Sequence, residues 1–244
     1  MDSPGESASS SSSSGERRRT CTTGCGRPMS VCLCHTLPTN PLPTATKIVI
    51  LHHPHERRHK LATVPLLPKC LQNCEIIVGR KLKYGKSELL DSLHDQHCEN
   101  PNLPLGRALY LFPGPNALPL VEANRVYSSF DDVSKDDLVL IVFDGTWKHA
   151  KEMVLASIPF LSKFAVQVCL DFDAGIKGGT IFDSELILRK EPFGGCVSTM
   201  EAVARCLRVL EPNNGVDIES RVIEVLRAMV SFQACFLKPR TEND

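Results

Sequence analysis

The chain is predicted to be an α/β domain with a mainly parallel sheet flanked by helices. Two patterns carry that expectation. Short unbroken apolar runs recur from Lys47 onward, and helical periodicities fill the gaps between them. Strands buried on both faces read as continuous apolar stretches. Strands that alternate with helices assemble into parallel sheets.

The runs, in order, are Lys47–His52, Glu75–Gly79, Ala108–Phe112, Leu138–Phe143, Val166–Leu170 and Glu185–Leu188. Leu138–Phe143 is six apolar residues long and is the strongest of them. Trp147, Ala150, Val154, Ile158 and Leu161 follow a helical period after it. Val203, Cys206, Leu207 and Leu210 keep the i, i+3, i+4, i+7 spacing of a one-sided helix. Ser198-Thr199-Met200-Glu201 has the form of a capping box that starts that helix. Val222, Leu226, Met229, Val230 and Gln233 mark a long last helix, with Val225 and Phe232 beside the stripe.

Upstream of this domain, expected over residues 45–240, the composition changes. Met1 to Thr20 is Ser-rich and reads as disordered. A Cys-rich segment spans residues 21–35, and a Pro/Thr-rich connector covers Thr36 to Thr46. No secretory signal is expected, because the N-terminal stretch is not apolar, and the 11 cysteines are odd in number, which suits reduced thiols in a cytoplasmic or nuclear setting. The Ser- and Arg-rich start is also compatible with an organelle transit peptide, although Asp2, Glu6 and Glu16 argue against one. No apolar run approaches the roughly 18 residues needed to span a bilayer, so no membrane partner is expected.

Cys21, Cys25, Cys32 and Cys34 lie within one short segment, while the other cysteines are scattered singly. Four thiolates suit a tetrahedral zinc ion, with His35 a possible substitute for one of them. The alternative is a chance cluster in a Cys-rich chain.

Net charge is zero, yet residues 47–86 hold nine Lys or Arg against two acids. A basic patch inside a neutral protein is a footprint of nucleic-acid binding. His53, Arg57, Arg58 and His59 follow the first strand, and Arg80, Lys81 and Lys83 follow the second. These are the candidate RNA contacts, with Tyr84 and the histidines available to stack on unpaired bases. A solvated loop face is the competing reading.

Three strand-end loops carry candidate chemistry, because α/β sheets bind ligands at the carboxyl ends of their strands. They are Phe112-Pro113-Gly114-Pro115, Asp144-Gly145-Thr146-Trp147 and Leu188–Gly195. Asp144 ends the most buried run, and either it or Thr146 can cap the helix that follows. Arg189, with the glycines before the Ser198 helix start, is suited to hold a carboxylate. No G-x-G-x-x-G or phosphate-binding P-loop is present.

These motifs, in this order, resemble the DTW-domain family, and within it the eukaryotic branch. The resemblance covers roughly residues 21–210. It runs through Cys32-Leu33-Cys34, Leu51–His59, Phe112-Pro113-Gly114, Asp144-Gly145-Thr146-Trp147, Leu188–Pro192 and Ser198–Ala202. Spacing of three residues between Cys21 and Cys25 departs from the shorter pair common in the family and leaves the metal ligands open.

The resemblance implies a SPOUT-like fold with a knotted C-terminal half. It implies S-adenosylmethionine as donor, tRNA as partner, and aminocarboxypropyl transfer to uridine. It carries the donor site to Phe112, Pro113, Gly114, Asp144, Gly145, Thr146, Trp147, Arg189, Ser198, Thr199 and Glu201, with Asp144 and Trp147 as catalytic candidates. Asp144 is the first choice of general base, with His53 or His59 behind it. The rival expectations are RNA methyl transfer from the same donor and a non-enzymatic zinc-containing RNA-binding module.

Overall fold

The computed structural model describes residues 19–59, 62–100, 107–129, 138–170 and 197–235. Their centre is a six-stranded sheet formed by β1 (Lys47–His52), β2 (Cys74–Val78), β3 (Ala108–Leu111), β4 (Leu118–Pro119), β5 (Val139–Asp144) and β6 (Ala165–Cys169). The strand order is β2-β1-β5-β3-β6-β4, and every pair is parallel. All carboxyl ends therefore lie on one rim, as the sequence pattern predicts.

The helices among the described residues are α1 (Leu67–Cys70), α2 (Glu88–Glu99), α3 (Leu120–Ser128), α4 (Trp147–Leu161), α5 (Thr199–Leu210) and α6 (Gly215–Ala234). They cover the sheet from both sides. Ile48, Ile50, Leu140 and Val142 point into a core with α3, α5 and α6. Val49, Leu51, Ile141 and Phe143 point into a second core with α2 and α4. Successive strand residues alternate faces, so a strand covered on both sides is apolar throughout. β5 is the clearest case, buried from Val139 to Phe143, with the half-exposed Asp144 at its tip.

Two expectations change. β2 is an edge strand, with Glu75 exposed and Val78 44% exposed, so its apolar letters do not mean burial on both faces. On α4, Ile158 is 37% exposed, and Met153, Ser157 and Phe160 fill the buried stripe instead. The stripes predicted for α5 and α6 are buried at Val203, Cys206, Leu207, Leu210, Val222, Leu226, Met229 and Val230, with Gln233 half-buried. The strand expected at Glu185–Leu188 and the Ser-rich start through residue 18 lie outside the described residues.

The connector before β1 is tied to the far end of α5. Glu211 is buried, and its carboxylate accepts from the backbone N–H of Ala45 at 3.0 Å and of Thr46 at 2.8 Å. Removing a charged acceptor from buried N–H donors costs about 2–3 kcal/mol. Glu211→Ala is therefore expected to lower unfolding free energy by about that much, and Glu211→Gln by less. Urea denaturation with an unchanged m-value would read this out.

Candidate active site

The rim is built where β5 meets α4. Thr146, not Asp144, caps α4, and its side chain accepts from His149 N. That leaves the Asp144 carboxylate to turn toward the face of the sheet that carries α5. β1 runs in register beside β5 and pairs His52 with Asp144. His52 Nδ1 lies 2.5 Å from Asp144 Oδ2, and an ionised carboxylate only accepts, so the imidazole donates. Thr199, the first residue of α5, donates its hydroxyl to Asp144 Oδ1 at 2.5 Å. One carboxylate thus joins the ends of two strands and the start of a helix. His52 is 3% exposed, and it is a site residue that the sequence reading passed over. Only strand register marks it out.

Beside this clamp is a cavity of about 260 Å³. Phe112, Pro113, Gly145, Trp147 and Thr199 line it, with apolar walls from Leu111, Val142, Phe143, Leu170 and Ala202. The Phe112 and Trp147 rings are tilted at 54°, with centroids 6.1 Å apart. Gln167 on β6 fixes the Phe112 turn. Its Nε2 donates to Phe112 O at 2.9 Å, and its Oε1 accepts from the Tyr110 hydroxyl at 3.1 Å. A Cβ at position 114 would sit 2.7 Å from that Gln167 nitrogen, so the close fit favours Gly114.

The structure therefore brings Phe112, Pro113, Gly145, Trp147 and Thr199 to one cavity, with Asp144 directly behind Thr199. Gly114, Thr146 and Ser198 support the same walls without lining them. Ser198 caps α5 by accepting from Glu201 N. Glu201 does not reach the cavity. It is fully buried and its carboxylate pairs with Arg205 one turn along α5. Arg189 and the rest of the Leu188–Gly195 loop lie outside the described residues.

The two basic clusters share a rim, because β1 and β2 are parallel neighbours with His52 opposite Val78. Arg57, His59, Arg80, Lys81 and Lys83 are exposed there, and Arg58 closes a short 3-10 turn, Glu56–Arg58. His53 departs from the expectation of an RNA contact. It is 2% exposed, and its ring is stacked on His149 with centroids 3.9 Å apart. Burial, then the fields of His149, His55 and Arg80, push its pKa down, so it is a neutral imidazole. The second cluster is also less basic than its own letters. Asp91 accepts from Gly85 N, and Asp95 accepts from the Tyr84 hydroxyl, so α2 folds two acids onto that turn.

Further along the chain's start, the four clustered cysteines converge. Their sulfur atoms all lie within 4.8 Å of one another, which is a geometry that can hold a metal ion. Cys21 and Cys34 are 3.4 Å apart, and Cys25 and Cys32 are 3.6 Å apart. Tetrahedral ligands at about 2.3 Å from an ion stand roughly 3.8 Å from each other, close to these values. A Cβ at Gly24 would lie 2.2 Å from Cys34 Sγ, so the loop closes only around a glycine. The hydrogen bond with Cys34 leads in holding the Cys21 thiol down to about 7. Burial instead pushes Cys70 and Cys74 up to about 12, so those thiols are inert. His35 sits apart from the four, edge-on to Phe232 of α6 at 5.7 Å.

An all-parallel sheet with a strand-end carboxylate in an Asp-Gly-Thr-Trp turn defines the class: the chain belongs to the DTW domain family, whose profile matches residues 18–234. It is 50% identical over 231 residues to the tRNA-uridine aminocarboxypropyltransferase A of Arabidopsis thaliana, covering 91% of this chain and 84% of that one. It is 32% identical to tRNA-uridine aminocarboxypropyltransferase 2 of Macaca fascicularis and 33% identical to the Mus musculus protein of that name. Those two matches cover 89% of this chain and 64% of the relatives' length. No solved structure matches the chain. No helix of the described residues is long and apolar enough to cross a membrane.

Proposed function

We propose that this protein is a tRNA-uridine aminocarboxypropyltransferase. It moves the 3-amino-3-carboxypropyl group of S-adenosylmethionine onto a uridine of tRNA and releases methylthioadenosine. The observation that carries this reading is the Asp144 clamp beside an apolar cavity, in a chain 50% identical to an enzyme of that name.

The cavity suits the donor's mixed chemistry. Phe112 and Trp147 offer aromatic surface for a purine, and the apolar walls exclude water from the reacting centre. Its volume sits just below the usual range for ligand pockets of roughly 300–1,000 Å³, counting only walls from described residues. The bound donor supplies an electrophilic γ-carbon next to a sulfonium leaving group. This reading assigns the donor's charges to Asp144 and Arg189, a carboxylate for the sulfonium and a guanidinium for the carboxylate.

In the transfer, the uridine ring nitrogen forms a bond to the γ-carbon. The carbon–sulfur bond breaks, and sulfur leaves with the electron pair. The imide proton of neutral uridine must go to a base. Asp144 is a weaker candidate than its position suggests, because each of its oxygens already accepts a hydrogen bond, one from His52 and one from Thr199. Its better role is a fixed negative charge that also orients Thr199. His59, exposed on the basic rim, is the preferred base. Arg57, Arg80, Lys81 and Lys83 bind tRNA phosphates, and Tyr84 offers a ring to an unpaired base.

The same reading includes zinc in the cysteine cluster, supported by four converging thiols. It includes a SPOUT-like knotted half within one catalytic domain over residues 45–240. In favour of the knot are the placement of β5 between β1 and β3 and the return of α5 to Asp144. A tRNA substrate points to a cytoplasmic or nuclear setting.

Incubation with unmodified tRNA and S-adenosylmethionine, followed by nucleoside mass spectrometry, tests the reaction. The expected product is 3-(3-amino-3-carboxypropyl)uridine with an equal yield of methylthioadenosine. S-adenosylhomocysteine would mean methyl transfer instead. RNA binding with no calorimetric response to the donor would leave only an RNA-binding module.

A further inference from the structure

The folded chain assembles a group of imidazoles that no single stretch of sequence contains. His53 follows β1, His55 precedes the short turn at Glu56–Arg58, and His149 lies in the first turn of α4. One ring nitrogen from each lies within 4.8 Å of the other two. Gly145 is what lets them meet. A Cβ there would be 3.0 Å from the Cβ of His149 and 3.4 Å from that of His53. His149 Nδ1 is buried and has no hydrogen-bond partner. A buried polar atom without a partner is uncommon and calls for an explanation.

We propose that His53, His55 and His149 form a binding site for a borderline transition-metal dication of the zinc, cobalt or nickel class, distinct from the four-cysteine cluster. Neutral imidazoles with no carboxylate or carbonyl among them select such ions over magnesium or calcium. Three protein ligands leave a coordination position open to water or another ligand. The assignment gives the buried His149 nitrogen a partner. It holds whichever reaction the neighbouring cavity serves.

The rings must move for this to happen. A metal ion lies near the plane of every imidazole that binds it. His53 and His149 are close to parallel, with 14° between their planes, so an ion cannot lie in both planes as they stand. His53 Nδ1 already accepts from His55 N at 3.3 Å. His149 is half-buried and has no such tie at Nδ1, so it is the ring that turns. Charge around the cluster is mixed: Arg80 opposes a cation at His53, and Glu56 favours one.

The test uses the full chain after saturation with zinc and removal of excess, so that the cysteine cluster is filled first. Cobalt is then added, and bound metal is counted by equilibrium dialysis while visible absorption is recorded. Wild type is expected to take up one equivalent more than His149→Ala, with weak ligand-field bands and no intense thiolate charge-transfer band. His55→Ala, at an exposed position with little folding burden, should lose the same equivalent. Equal metal counts in wild type and both variants would overturn the proposal. So would a thiolate signature on the additional equivalent.

Discussion

Asp144→Ala is expected to reduce transfer to tRNA by at least about 10²–10³-fold, the scale seen when a preorganised electrostatic group is removed from an active site. The carboxylate holds His52 at one oxygen and Thr199 at the other. Removing it strips the cavity wall of its only bond to α5 at that point among those described, and leaves His52 buried without this acceptor. That second effect costs about 1–3 kcal/mol of stability, so the variant should also melt earlier. Asp144→Asn separates the two contributions. The amide can still accept once and donate once, so it keeps much of the geometry and loses the charge. Nucleoside mass spectrometry under single-turnover conditions, read beside donor calorimetry, measures each. Wild-type rates in a well-folded Asp144→Asn protein would show that the charge plays no part.

If the cysteine cluster holds zinc as proposed, removing that ion is the other large expected effect. Leu33 lies between Cys32 and Cys34 and is fully buried in the main core. Its N–H donates to Cys25 Sγ at 3.3 Å, so the cysteine loop and the core are built together. Burial of one such side chain contributes about 1.5–3 kcal/mol, and opening the loop forfeits it. Chelation, or Cys25→Ser, should therefore lower the melting temperature by roughly 3–12 °C at the 2–4 °C per kcal/mol typical of this chain length. Proteolysis should then begin in residues 19–35. Dialysed protein that carries no zinc and melts identically with and without a chelator would contradict the assignment.

How much of this was legible in the letters depends on the range of the interaction. Unbroken apolar runs announced β1 and β5 because both faces of each strand are covered. The same signal misled at β2, since an edge strand with Ile76 and Ile77 looks identical until its neighbours are known. The Ser198 cap was legible because a cap is satisfied within three residues, whereas at α4 the letters left Asp144 and Thr146 as alternatives. The cysteine cluster was legible for a similar reason, as its four thiols sit within one short segment. The choice of α4's buried face was not, because Ile158 and Phe160 are equally apolar and only the position of α2 and β5 selects between them.

The sequence by itself determined the family, the parallel α/β architecture, the thiol cluster and the turns that wall the cavity, since each is written in local pattern and ordered motif. Tertiary structure decided that Asp144 grips His52 and Thr199, that Glu201 turns inward to Arg205, that His53 is buried against His149, and that Asp91 and Asp95 temper the basic rim. The reason is physical. Strand register and helix docking bring together residues up to 166 positions apart, and no local propensity records which partner a polar side chain will meet.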